Sequence, residues 1–229
     1  MLNGDILADF LKKRGFSTLC HVNTAATSLT FLRNGGLLSR QYIEDHAMTC
    51  FQTMQKSDDK DKEFGIFNDI FFDVKNIWKY RGICFYGPVN FIYSLDVLRK
   101  NMNINVTKSN PQSWNRSSEY FNNFAEIENA HEVNNYWPIH EHIVFHNQGS
   151  IDFSCLEKVV FYLPFPGTNM SGVDMRNNPD DACRDIKLEC NSLGISFESD
   201  YIDPSYWRKV STAKFYGFRG AVPQPQRRI

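Results

Sequence analysis

The chain has 229 residues, 42% hydrophobic and 22% charged, a globular composition sized for one large domain or two small ones. Its formal net charge of −1 excludes a whole-protein field that would draw it onto nucleic acid or a membrane, so any polyanion has to be gripped by a local patch. No stretch approaches the roughly 18 apolar residues of a membrane span and no signal peptide is read at the N-terminus, so a cytoplasmic protein with no membrane partner is expected.

Residues 4–14 predict a helix, with Asn3 as cap, an apolar stripe of Ile6, Phe10 and Leu11, and Gly15 as stop. Residues 16–22 predict a strand. A short helix over 24–39 follows, with Leu29 and Leu32 inward and Gly35-Gly36 ending it, because glycine enters the left-handed conformation cheaply. Residues 41–56 predict a helix and 57–65 a charged loop. Residues 68–74 and 84–98, rich in aromatic and β-branched side chains, predict strands.

Residues 100–138 are dense in Asn and Ser and predict a long loop with one helix near 118–130. Long irregular segments in compact domains tend to carry function. Strands are expected at 140–145, 156–165 and 195–202. Between the last two, a helix over 177–194 is signalled by Asn178 as cap, Pro179 at the first position, Asp180 and Asp181 in the first turn, and Gly194 as stop. The tail 217–229 is polar. With no internal repeat and no linker, the expectation is one α+β domain over 1–229. The six cysteines show no CxxC spacing and are expected as buried, reduced thiols.

"YWPIHEHIVFHNQG" (136–149) gathers three histidines and a glutamate. On a strand, His140, His142 and His146 share one face, while Glu141, Ile143 and Phe145 share the other. An HExxH metalloprotease pairing fails, because Val144 stands where the second histidine is needed. Two alternatives stay open for the histidines: strand-borne metal ligands, or ordinary hydrogen-bonding residues. A carboxylate at Glu141, amid apolar neighbours, has to be paired or face a cleft.

"CHVNTAATSLTFLRNGGLLS" (20–39) resembles the opening of DarT-like ADP-ribosyltransferases, where a strand ending in histidine leads into a short helix closed by glycine and Leu-x-Ser. Later segments fall in the family's order: "NDIFFDVKNIW" (68–78), "GPVNFIYSLDVL" (87–98), "EHIVF" (141–145), "IDFSCLEKVVF" (151–161) and "ISFESDYIDPSYW" (195–207). The resemblance covers the chain from residue 18 to about 207. It implies an ADP-ribosyltransferase-like α+β fold, with two small mixed or antiparallel sheets forming an NAD cleft flanked by helices.

The resemblance also implies roles. Glu141 is the catalytic glutamate. His21 bonds the ribose or nicotinamide side of NAD, and Asn23, Thr24, Thr27 and Asp69 line the same pocket. NAD is a substrate, and no metal is required. The family has an arginine at the end of the helix after the first glycine turn. Here that segment ends "FQTMQKS", with Gln55 and Lys56, so Lys56 and Arg40 are the candidates to take its place on the NAD phosphates.

Breaking the nicotinamide–ribose bond passes through an oxocarbenium-like state, as glycoside hydrolysis does. A carboxylate bonded to the 2′-hydroxyl tightens its hold as positive charge develops, and can then take a proton from the acceptor. The family modifies bases in single-stranded nucleic acid, and residues 100–138 correspond to the acceptor-facing loop. Trp114 and Tyr120 are candidates to stack on splayed bases, Arg116 to meet a phosphate, and Asn115 to read a base edge. The expected function is a toxin-type mono-ADP-ribosyltransferase acting on RNA, such as messenger RNA, in preference to DNA. A cognate antitoxin protein in a toxin–antitoxin or phage-defence system is implied as partner. The alternatives are the same chemistry on a protein side chain, and a metal-dependent enzyme built on His140, His142 and His146.

Overall fold

The computed structural model describes residues 1–48, 55–81, 87–101, 103–134, 143–164 and 179–202. Helix α1 (Gly4–Lys13) starts where expected. Asn3 Oδ1 accepts from the amides of Asp5 (2.9 Å) and Ile6 (3.2 Å), and Gly15, at φ 83°, ends it. Strand β1 (Thr18–Asn23) follows, then α2 (Ala25–Arg33), capped by Thr24.

Here the chain departs from the predicted helix over 24–39. Gly35 turns it at φ 72°, and strand β2 (Gly36–Leu38) begins at once. A Cβ on Gly36 would lie 2.6 Å from the carbonyl oxygen of Ile151, so this glycine permits close approach of a partner strand. Of the helix expected over 41–56, the first part is α3 (Arg40–Asp45), followed by Ala47 in the left-handed region (φ 50°), and residues 49–54 lie outside the described residues. The charged stretch expected as a loop instead forms α4 (Gln55–Glu63), whose Lys62 pairs with Glu44 at 2.9 Å.

Strand β3 (Ile70–Phe72) and a short helix α5 (Ile77–Arg81) lead to β4 (Val89–Ser94). The long strand expected over 84–98 is shorter than its composition suggested, because Asp96–Lys100 turns into α6. The long loop contains strand β5 (Ile104–Val106), a 3-10 turn at Pro111–Ser113 and α7 (Phe124–Asn134). Strands β6 (Ile143–Phe145), β7 (Ser150–Asp152) and β8 (Leu156–Pro164), helix α8 (Pro179–Ser192) and strand β9 (Phe197–Ile202) complete the order.

The fold is α+β with several small sheets. The largest has the order β1-β4-β8-β9, antiparallel except for β8 and β9, which run parallel across the α8 crossover. A three-stranded antiparallel sheet has the order β3-β6-β5, and β2 pairs with β7. The two larger sheets are hooked together at β1. Cys20 and Asp73 exchange backbone hydrogen bonds of 2.8 Å in each direction.

The core lies where these sheets meet α2. Phe31 and Phe91 meet edge-on at 6.0 Å, and Phe72 touches both Tyr93 and Phe145 at about ring-contact distance, 5.3 and 5.2 Å. Cys20, Cys155, Cys183 and Cys190 are buried free thiols. Among the described residues no helix is long and apolar enough to cross a membrane.

Candidate active site

The β1–α2 junction brings four of the expected residues together. Strand β1 carries His21 on the face that packs against α2, and its ring sits between Phe31 and Phe72, each 5.8 Å away. Nδ1 lies 2.8 Å from the carbonyl oxygen of Phe71 in β3. A carbonyl only accepts, so Nδ1 carries the proton and Nε2 presents a lone pair. Burial pushes the imidazole down from 6.5 to about 4, against the Phe71 carbonyl, which pulls it up, so the ring is neutral near pH 7. Nε2 is sealed from solvent and has no hydrogen-bond partner among the described residues. An enclosed acceptor in that state calls for a donor, such as a hydroxyl or an N–H.

The residues after His21 hold that junction. Asn23 Oδ1 accepts from the Thr24 amide at 2.8 Å, and Thr24 Oγ1 accepts from the Thr27 amide at 3.2 Å while donating to Thr27 Oγ1 at 3.0 Å. Both threonines are buried, and Ser28 Oγ donates to the Thr24 carbonyl at 2.7 Å. These hydroxyls form the start of α2, and through it they fix Phe31 against the His21 ring.

Asp69 belongs to a separate cluster at the other end of β3. Its enclosed carboxylate accepts from His146 Nδ1 at 3.0 Å and from the Asn147 amide at 2.9 Å, which holds Asn147 in the left-handed region (φ 52°). Desolvation raises its pKa, and the Asn147 amide and His146 oppose the rise. Arg40 lies 3.8 Å from Asp61, a long ion pair at the start of α3. Lys56 belongs to α4, but its side chain lies outside the described residues.

Trp114, expected to stack on a base, is instead a core residue with no exposed surface. It packs edge-on between Phe64 (5.5 Å) and Tyr120 (5.4 Å), which folds the segment onto its own domain and leaves the indole no open face for a base. The Trp114 Nε1 and Tyr120 hydroxyl are enclosed without a hydrogen-bond partner among the described residues. Asn115 and Arg116 are exposed.

Glu141, His140 and His142 lie outside the described residues. In the sequence Glu141 stands two residues before β6, whose Val144 pairs with Phe71, the residue that holds His21. Of the alternative histidine set only His146 is described, and its Nδ1 is engaged by Asp69. Among the described residues no three His, Cys, Asp or Glu side chains are grouped as a metal ion needs. The Asp69–His146 pair escaped the sequence because its members are 77 residues apart and neither carries a local motif.

Comparison with protein-family models, curated proteins and solved structures returns no match.

Proposed function

We propose that the protein is an NAD-dependent mono-ADP-ribosyltransferase that modifies a base in single-stranded nucleic acid, RNA in preference to DNA. The observation that supports this most is the His21 ring. It is neutral, fixed in one tautomer by Phe71, and offers an enclosed lone pair, with the ring packed beside Phe31 of α2. A ribose hydroxyl donates what that lone pair lacks, without needing a charge on the ring.

In this reading NAD lies with its nicotinamide ribose toward His21. Glu141, two residues before β6 in the sequence, accepts a hydrogen bond from the 2′-hydroxyl and stabilises the sugar cation as nicotinamide departs. The glutamate then accepts the proton from the attacking base nitrogen as the new carbon–nitrogen bond forms, a role worth about 10²–10⁴ in rate. Arg40 and Lys56 are the candidates for the NAD phosphates. Asn115, Arg116 and Tyr120 remain candidates on the acceptor side, with Arg116 meeting the backbone phosphates. An ADP-ribosyltransferase-like cleft, a toxin role and a neutralising antitoxin partner belong to this same proposal.

The test is incubation with labelled NAD and separate single-stranded RNA and DNA oligonucleotides, followed by nuclease or protease. Label released by nuclease, lost in Glu141→Gln and reduced roughly tenfold or more in His21→Ala, is the expected result. Label released only by protease would transfer the chemistry to a protein acceptor.

A further inference from the structure

Three cations in a row close α1. Elsewhere on the described surface Arg33 meets Glu189, Lys62 meets Glu44, Lys108 meets Glu126 and Lys158 meets Glu198, each within 3.5 Å. Lys12, Lys13 and Arg14 follow one another with no carboxylate at ion-pair distance among the described residues, and both lysines are exposed. The nearest acid in sequence, Asp9, is held by Arg99 at 2.6 Å. In a chain of net charge −1 this run is a local positive patch, the kind a polyanion needs here.

Arg14 ties the patch to aromatic rings. Its guanidinium lies 4.4 Å over the Phe10 ring, and its Nε is sealed with no hydrogen-bond partner among the described residues. Phe10 in turn meets Phe124 edge-on at 5.0 Å, so the end of α1 abuts the start of α7. Three residues before Phe124, Phe121 carries the Lys108 ammonium 5.6 Å above its ring, and that lysine neutralises Glu126. Phe121 and Phe124 are only partly buried. Cations and rings therefore alternate from α1 to α7.

The α1 dipole favours cations at its end. It does not account for a guanidinium laid on a ring, nor for the rings beyond it. A polynucleotide uses both features: its phosphates meet the charges, and its bases stack on rings and on the guanidinium plane. A membrane would use the charges alone. Helix α1 buries Leu7, Ala8, Phe10 and Leu11 in the core and exposes only Ile6 of its large apolar side chains, so it has no apolar face to insert.

We infer that the end of α1 and the start of α7 form a docking surface for a single-stranded polynucleotide, with phosphates on Lys12, Lys13 and Arg14 and a base against the exposed parts of Phe121 and Phe124. The inference rests on the nucleic-acid reading of the acceptor, and gives that strand a grip besides Arg116.

The experiment measures binding without NAD. The full chain is titrated, at one low salt concentration, against fluorescent single-stranded RNA and DNA oligonucleotides, with polyglutamate and phosphatidylserine vesicles as the other polyanions. It is repeated on the double variant Lys12→Gln/Lys13→Gln, on Arg14→Lys, and on Lys79→Gln/Lys187→Gln, which removes two exposed charges elsewhere. The expected result is that an oligonucleotide binds the wild type more tightly than polyglutamate or vesicles do. Its affinity falls roughly tenfold or more in the Lys12/Lys13 variant, whose side chains are exposed and whose melting temperature stays close to wild type. It falls by a smaller factor in Arg14→Lys, which keeps the charge and loses the plane, and is unchanged in the Lys79/Lys187 variant. The tighter of the two oligonucleotides identifies the strand. No oligonucleotide binding by the wild type, unchanged affinity in the Lys12/Lys13 variant, an equal loss in the Lys79/Lys187 variant, or tighter binding of polyglutamate or vesicles would overturn the inference. A labelled-NAD assay on the same proteins separates the two readings. Binding in the expected pattern without transfer leaves this surface standing and the transferase reading fallen, and transfer to nucleic acid with binding untouched by these substitutions does the reverse.

Discussion

At the scale of single residues, His21 links stability to pH. Its folded pKa of about 4 lies below the ordinary 6.5, so between these values the unfolded chain binds the proton that the folded chain refuses. The stability it contributes is fully present above pH 6.5 and is lost as the pH falls toward 4, with a limit of roughly 3 kcal/mol. Urea titrations at pH 7, 5.5 and 4 check this. His21→Phe should flatten the profile in that window, and an unchanged profile would show that the ring is hydrated. Trp114 makes a complementary case. As a wholly buried indole against Phe64 and Tyr120, its replacement by alanine should cost about 3–5 kcal/mol in the same assay. An exposed stacking residue would cost almost nothing in stability when removed.

Among elements, the packing of α1 on α6 depends on Gly4, where an added Cβ would collide with the Leu98 carbonyl. Gly4→Ala should therefore push α1 away and lower the melting temperature, although alanine is the better helix former. Arg99 also joins these helices, meeting Asp5 at 3.0 Å and Asp9 at 2.6 Å, but both carboxylates are well exposed, so Arg99→Ala should change stability much less. Differential scanning calorimetry of the two variants ranks these effects directly.

How legible each element was in the sequence follows the same logic. Helix α1 carries its own cap and stop, and α8 its acidic first turn (Asp180, Asp181) and the left-handed Gly194 (φ 68°) just beyond its end, so local chemistry was enough. Strands β2 and β7 exist only because each pairs with the other, more than a hundred residues away, and three-residue strands have no period to read. Helix α4 was hidden by a run of charges that resembles a loop, and α6 by the apolar residues it shares with β4. Within the candidate site, the histidine at the end of β1 was visible, but the bond to Phe71 that fixes its tautomer spans 50 residues and was not. The burial of Trp114 rests on Phe64, 50 residues earlier, so the loop alone left open whether its aromatics stack on a base or fold onto their own domain.

For the whole molecule, the arrangement of sheets gives the proposed chemistry its frame. Strand β3 pairs with β6, and so with the segment that follows Glu141, while its Phe71 carbonyl holds His21. His21 and β6, which begins two residues after Glu141 in the sequence, are therefore both tied to the three-residue strand β3. The net charge of −1 predicts that engagement with nucleic acid is brief and local, so transfer should fall only modestly as salt rises from 50 to 200 mM. A steep decline would place many more phosphate contacts on the protein than its charge suggests. The most direct measurement is mass spectrometry of RNA and DNA from cells expressing the wild type or Glu141→Gln. The account predicts a base carrying one ADP-ribose in the wild-type sample, absent from the variant sample when the variant protein accumulates equally and melts alike. Nucleic acid without that adduct in the wild-type sample, or with the same adduct level in both, would contradict it.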